Sequence, residues 1–319
     1  METIFIVNPM AGQGKNIDKF IDEIKAVSQK LDCKAEIYTT KAEGDATEFV
    51  RNYCKEYGAA RFVACGGDGT LGEVINGAIE CKNSEIGIIP LGTGNDFCRN
   101  FKTEDSFFDI EAQIKGNTTK CDAIKYQSEV NGSLKTGYCV NMFNIGFDCN
   151  VADMTARMKK KPLISGSMAY FLSIFAILIK KKGANLEIEL DGEKKHCGPL
   201  LLTSLANGCF CGGGIKSNPL ASIKNGLINI NIVYNISRLR FLTLLPRYMK
   251  GTHINLKNID NVIHTEACKK VVLTPISGNM KICIDGEITD AGKTEFQIMH
   301  DAFNFVVPGK YSIQKETVV

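Results

Sequence analysis

Residues Cys65-Gly66-Gly67-Asp68-Gly69-Thr70 place three glycines and one carboxylate where a strand turns into a helix. No other stretch constrains the fold as much. Arg61-Phe62-Val63-Ala64-Cys65 reads as a short buried strand. Leu71, Val74, Ile75, Ala78 and Ile79 then recur at i, i+3, i+4, i+7 and i+8, the stripe of a helix packed on a sheet. A glycine turn at that junction lets the backbone approach a phosphate closely while the first helical N–H groups point at it. Asp68 would repel a bare phosphate. It fits if a divalent cation or a proton stands between them, and otherwise it is a solvated aspartate in a tight turn.

The first third of the chain alternates. Ile4–Val7 reads as a strand, followed by the loop Asn8–Lys15 and a helix carrying Phe20, Ile21, Ile24, Val27 and Leu31. Ala35–Thr39 reads as a strand, Ala46–Tyr57 as a helix and Ile86–Ile89 as a further strand beyond the Gly66 turn. This order predicts a parallel sheet with helices on its faces and ligands at the carboxyl ends of the strands. Asn8–Lys15, Gly66–Thr70 and Gly92–Asp96 all fall at strand ends, so they converge on one crevice. Two common fingerprints fail there. Gly12-Gln13-Gly14-Lys15-Asn16 lacks the third glycine of a dinucleotide fold and the first of a Walker loop, with Asn16 where that loop needs Ser or Thr.

After about Asp122 the pattern changes. Thr136–Asn144, Asn185–Leu190, Leu200–Ala206, Gly226–Tyr234, Val271–Pro275 and Lys281–Ile284 read as strands, with helical stretches at Met168–Ile179 and Arg238–Met249. That spacing predicts a mainly antiparallel second domain, and 319 residues are more than one core usually serves. A net charge of +3 is too small to argue for nucleic acid. The 13 cysteines form no C-x-x-C pair and the four histidines no H-x-x-x-H pair, which points to reduced thiols in a cytosolic protein and away from a disulfide framework or a zinc site. Met1–Phe5 runs straight into a strand, so no secretory signal is expected. Leu163–Ile179 is apolar and bracketed by Lys159–Lys161 and Lys180–Lys182. It reads as a buried helix, as a span at the lower length limit, or as a segment resting on anionic headgroups.

The ordered set of motifs resembles the diacylglycerol kinase catalytic-domain family, and within it the bacterial soluble lipid kinases. Asn8-Pro9 with Gly12 and Gly14 is similar to that family's first loop. Gly66–Thr70 with Glu73, Asn76 and Gly77 is similar to its nucleotide signature, and Pro90–Arg99 to its third block. Asn141 with Gly146-Phe147-Asp148, Asn207-Gly208, Gly212–Gly214 and Asp285-Gly286-Glu287 follow in order. The resemblance implies an α/β chain with a Rossmann-like parallel-sheet nucleotide domain (1–122 with 301–319), a mainly antiparallel β-sandwich lipid domain (123–300) and a cleft between them. It further implies ATP and Mg²⁺, a membrane lipid as phosphoryl acceptor with diacylglycerol first, a cytoplasmic protein at the membrane surface, and by analogy a homodimer.

Residue by residue, the resemblance assigns Gly66, Gly67, Gly69 and Thr70 to the phosphates and Asn8, Thr40, Thr93, Gly94 and Asn95 to the nucleotide. Asp68 is assigned to Mg²⁺. Lys15 is either a point charge on the β- or γ-phosphate or a solvated lysine. Asp285 and Glu287, at i, i+2, would share one face of a strand, and the resemblance makes Glu287 the general base with Asp285 second. Without it, Asp-Gly reads as a polar hairpin turn. One departure concerns a second, structural metal: Pro219-Leu220-Ala221 is followed by Lys224-Asn225-Gly226, where the family carries Asp-Gly. Asn225 keeps an oxygen but loses the charge, which weakens a Mg²⁺ site. Two other readings are an NAD kinase, whose Asn-Glu and Ser/Thr/Gly-rich blocks find no counterpart here, and a non-catalytic lipid-binding member of the fold.

Overall fold

The computed structural model describes residues 1–14, 16–101, 104–130, 132–147, 149–150 and 183–309. The apolar segment Leu163–Ile179, its flanking lysines, Lys15, Asp148 and the last residues of the chain lie outside them. Two compact units are present: Met1–Ala123 together with the chain from His300, and Ile124–Met299.

The first unit is built on parallel strands β1 (Thr3–Val7), β2 (Ala35–Thr39), β3 (Arg61–Gly66) and β4 (Glu85–Pro90), ordered β2-β1-β3-β4. Every residue of β1 is buried, as expected of a strand covered on both faces. Helices α1 (Ile17–Lys30), α2 (Asp45–Tyr57) and α3 (Asp68–Ala78) connect the strands. Ile24 of α1 packs with Phe5, Val7, Val63 and Ile89. α2 meets α3 at Gly77, where a Cβ would lie 2.8 Å from the Thr47 carbonyl oxygen, so only glycine permits the crossing. A short helix α4 (Ile110–Lys115) is N-capped by Asp109 and closed at its C-terminus by Arg61. The Arg61 guanidinium pairs with Glu85 and donates to the carbonyls of Gln113, Ile114 and Gly116, as a cation should at a helix C-terminus.

Two strands not expected from the sequence, β5 (Asn117–Val130) and β16 (Thr294–Val307), each run from one unit into the other. The far end of β16 completes the first unit: Asn304 and Phe305 pair in parallel with Glu85 and Ile86. Phe305 is fully buried, with ring centroids 4.9 Å from Phe97 and 5.2 Å from Phe101.

The second unit is a two-layer antiparallel sandwich. One layer pairs the near end of β16 with β13 (Lys270–Pro275), β13 with β8 (Ala184–Leu190), and β8 with β9 (Glu193–Leu200), alongside the hairpin of β5 with β6 (Ser133–Cys139). The other is a six-stranded sheet of β12 (Ile263–Cys268), β11 (Ile228–Val233), β10 (Leu202–Ala206), β7 (Met142–Gly146), β14 (Met280–Ile284) and β15 (Glu287–Ala291) in that order. Phe143, Ile145, Leu205, Ile230 and Ile282 from this sheet meet Leu186, Ile188, Val271 and Phe296 from the first layer in one core.

Two expected strands prove to be pairs. Leu200–Ala206 breaks at Leu201, where the chain leaves the β9 layer for the β10 layer. Thr136–Asn144 breaks at Val140-Asn141, for a reason that lies at residue 285. Helix α5 (Arg238–Met249), capped by Ser237, lies over Leu202, Val233 and Ile263 through Phe241 and Tyr248. Among the described residues no helix is long and apolar enough to cross a membrane.

Removing the Phe305 ring leaves a cavity among Phe97, Phe101 and Phe107. Phe305→Ala should lower the unfolding free energy by about 3–5 kcal/mol, measured by urea denaturation.

Candidate active site

In the first unit, three loops follow neighbouring strand ends. Val7 is in register with Thr39 and Cys65, and Gly66 with Pro90. The loop after β1 is tied to its neighbours by main-chain bonds: Asn8 N–H donates to the Cys65 carbonyl at 3.0 Å, and Thr40 N–H to the Val7 carbonyl at 2.9 Å. Asn8 also donates through Nδ2 to Thr70 Oγ1 at 3.2 Å, while its Oδ1 accepts from Met10 N–H at 2.9 Å.

Glycine is required where these loops touch. A Cβ on Gly66 would meet Thr70 Oγ1 at 2.3 Å, and one on Gly92 would meet the Cα of Gly67 at 2.5 Å. The second and third loops therefore make backbone-to-backbone contact. Helix α3 begins directly behind. Its first i→i−4 bond runs from Leu71 N–H to the Gly67 carbonyl, so the N–H groups of Asp68, Gly69 and Thr70 have no acceptor within the helix.

The Asp68 carboxylate has a partner that the sequence did not suggest. Phe97 N–H donates to its Oδ1 at 3.3 Å, and a Cβ on Gly94 would lie 2.8 Å from its Oδ2. Burial holds the Asp68 carboxyl above its ordinary value, and the N–H groups of Phe97, Asp96 and Asn95 pull it part of the way back. A desolvated carboxylate with incomplete compensation fits one ligand position of a divalent cation. The third loop is braced from within. Asn95, at φ 51°, donates through Nδ2 to the carbonyls of Pro90 and Gly92 at 3.1 and 2.9 Å, and its Oδ1 is buried with no donor. Arg99, given no role from the sequence, clasps the Gly94 carbonyl at 3.3–3.4 Å. Thr93 is exposed at the tip of the loop.

In the second unit, the expected common strand face for Asp285 and Glu287 is not found. Asp285 (φ 46°) and Gly286 (φ 102°) are the two central residues of the hairpin turn between β14 and β15. Both are left-handed, a conformation that Asp-Gly adopts readily. Glu287 is the first residue of β15, exposed and opposite Ile284. The Asp285 carboxylate turns back onto the break between β6 and β7. It accepts from the N–H groups of Val140 at 2.9 Å, Asn141 at 3.1 Å and Met142 at 2.8 Å, and from the Cys139 thiol at 3.1 Å. This clamp interrupts the strand expected over Thr136–Asn144. Burial, and secondarily the Asp285 charge, raise the Cys139 thiol well above its usual range, so it stays protonated and donates. Tyr126, for which the sequence held no signal, is pushed up to about 12, first by burial and then by Cys139, Glu287 and Asp285.

The second metal position does not fit. Asn225 Oδ1 accepts from Leu227 N–H at 3.1 Å and so closes its own turn with Gly226 at φ 68°. Among the described residues, the one group of His, Cys, Asp and Glu with metal-like spacing is Asp122, His300 and Asp301.

Two predictions follow from the carboxylates. Asp285→Ala orphans three backbone donors and should cost at least about 2 kcal/mol of stability, whereas Glu287→Ala should cost less than about 0.5 kcal/mol; chemical denaturation separates them. Asp68, with its folded value raised, contributes stability only below its unfolded value, and that contribution is lost as pH rises through the folded one. Where it is ionised without a cation it is a net cost, so Asp68→Asn should raise the melting temperature of the ligand-free protein at about pH 7.5. The gain should vanish toward about pH 4, as followed by circular dichroism.

Comparison with known proteins finds matches along nearly the whole chain. The diacylglycerol kinase catalytic domain family matches residues 2–126 and the YegS C-terminal NAD kinase beta sandwich-like domain family residues 141–307. A diacylglycerol kinase of Bacillus subtilis is 27% identical over 310 residues, 95% of each chain. The crystal structure of a diacylglycerol kinase from Bacillus anthracis superposes with a TM-score of 0.66 at 19% identity, over 96% of both chains. That of yeast NADH kinase does so at 0.50 and 12% identity, over 97% of this chain and 84% of the other. The last two report the fold alone. With its two halves matched in order, this chain belongs to the diacylglycerol kinase catalytic-domain family, in the branch that carries the YegS-type C-terminal sandwich.

Proposed function

We propose that this chain is an ATP-dependent lipid kinase that moves the γ-phosphoryl group of ATP to a lipid hydroxyl, diacylglycerol giving phosphatidic acid being the first candidate. The observation that carries the reading is the glycine-walled contact of the Gly66–Thr70 and Gly92–Asn95 loops beside the N-terminus of α3. Phosphoryl transfer asks for positioning and charge neutralisation more than for covalent chemistry. The N–H groups of Gly69 and Thr70 supply donors to phosphate oxygens. Asp68 would hold Mg²⁺, which when bound neutralises phosphate charge.

Acceptor and base belong to the second unit. A small apolar groove lies under α5, lined by Leu201, Leu202, Val233, Phe241, Leu244 and Ile263 among others. The similarity to a diacylglycerol kinase along nearly the whole chain favours a lipid over NAD(H), although NADH kinase shares the fold. A lipid hydroxyl becomes a nucleophile when a base takes its proton. Glu287, exposed beside the turn, is the base, and Asp285 is the residue that fixes the turn. Such a substrate places the reaction at a membrane surface.

Transfer of label from [γ-³²P]ATP to micellar diacylglycerol tests this. Glu287→Gln should lower kcat by about 10²–10⁴-fold, with the KM for ATP within about threefold of wild type. Label appearing in NAD(H) and not in lipid, or equal labelling by Glu287→Gln, would sink the assignment.

A further inference from the structure

The charge of the chain is not evenly spread. From Lys194 to Ile259 there are nine lysines and arginines and no aspartate or glutamate, although the whole chain is only +3. Lys194 and Lys195 are answered by Glu187, Glu193 and Glu266. The rest of that run includes α5, Arg-Leu-Arg-Phe-Leu-Thr-Leu-Leu-Pro-Arg-Tyr-Met, with Lys250 at its C-cap.

At 100° per residue, Phe241, Leu244, Leu245 and Tyr248 form the inner face of α5, which lines the apolar groove. The opposite face is centred on Leu239, Thr243, Pro246 and Lys250. Leu242 flanks it on one side, and Arg240 and Arg247 on the other. All seven of these outer residues are exposed, Leu239 at 74% and Leu242 at 39%. Leucines at i, i+3 in open solvent beside three cations are out of place on a surface meant only for water. The pattern is that of a helix lying in a lipid interface, leucines toward the acyl boundary and cations at the phosphates.

We propose that the outer face of α5 is the surface by which this protein docks on an anionic bilayer. This rests on the lipid-kinase reading. The cations favour an anionic lipid surface over a basic or neutral partner. The inner face of the same helix is packed on Leu202, Val233 and Ile263, which leaves its outer face open to a lipid surface.

The chain contains no tryptophan, so Leu239→Trp makes a single reporter at an exposed position. With full-length protein and vesicles of phosphatidylcholine containing 30 mol% phosphatidylglycerol, its emission should shift to the blue and be quenched by brominated acyl chains. Phosphatidylcholine alone should produce neither effect. Tyr57→Trp, 67% exposed on α2, should not respond. The double variant Arg240→Glu/Arg247→Glu should lose at least about thirtyfold in vesicle partitioning while keeping wild-type activity on diacylglycerol in detergent micelles. Vesicle binding with an unchanged Leu239→Trp spectrum would overturn the proposal, as would equal partitioning of the charge-reversed variant, or a blue shift that grows with protein concentration in the absence of lipid, the mark of a second copy on this face. Failure of wild type to phosphorylate any micellar lipid would count against the kinase reading, and the vesicle spectra would still decide the docking face.

Discussion

The first unit of this protein depends on two backbones meeting without side chains between them. Gly67 and Gly92 approach so closely that a Cβ on Gly92 would sit 2.5 Å from its neighbour's Cα. Because β3 and β4 are adjacent and in register to their last residues, their loops leave the sheet side by side, and any side chain at the contact would splay them. The space in front of α3, where three N–H groups lack helical acceptors, exists because that splaying does not occur. The third loop's own braces, Asn95 and Arg99, hold it against this contact.

Both candidate carboxylates that might have been taken for solvent-facing acids are engaged with main chain. Asp68 accepts from the loop that follows β4, and Asp285 gathers three consecutive N–H groups and a thiol at the β6–β7 break. Each ties two distant stretches together, residues 68 and 97 in one case and 285 and 140–142 in the other. A carboxylate bonded in this way is a strut. Glu287, two residues along, is exposed at the start of β15.

The first unit was largely legible because strands buried on both faces read as unbroken apolar runs, and because close-contact glycines cannot be hidden. The second unit was less so. β9 carries Glu-Lys-Lys-His and β15 begins Glu-Ile-Thr-Asp, so neither stands out from a loop by hydropathy. The breaks at Leu201 and at Val140-Asn141 depend on a change of layer and on a carboxylate more than 140 residues away, which no local pattern encodes. The shared strand face expected for Asp285 and Glu287 gave way because Asp-Gly reached its preferred turn first. The acid-free run around α5 was present in the sequence all along, masked by a near-neutral total.

β16 serves both units, with Thr294–Gln297 on β13 and Asn304-Phe305 on β4. During synthesis this imposes an order of events. β4 leaves the ribosome about 200 residues before its outer partner, a delay of roughly 10–40 s at ordinary elongation rates. Through that interval the first unit has an unpaired strand edge of the kind that invites pairing with another chain. The first unit cannot complete its sheet until nearly the whole second unit has been made, so the two mature together although each has its own core.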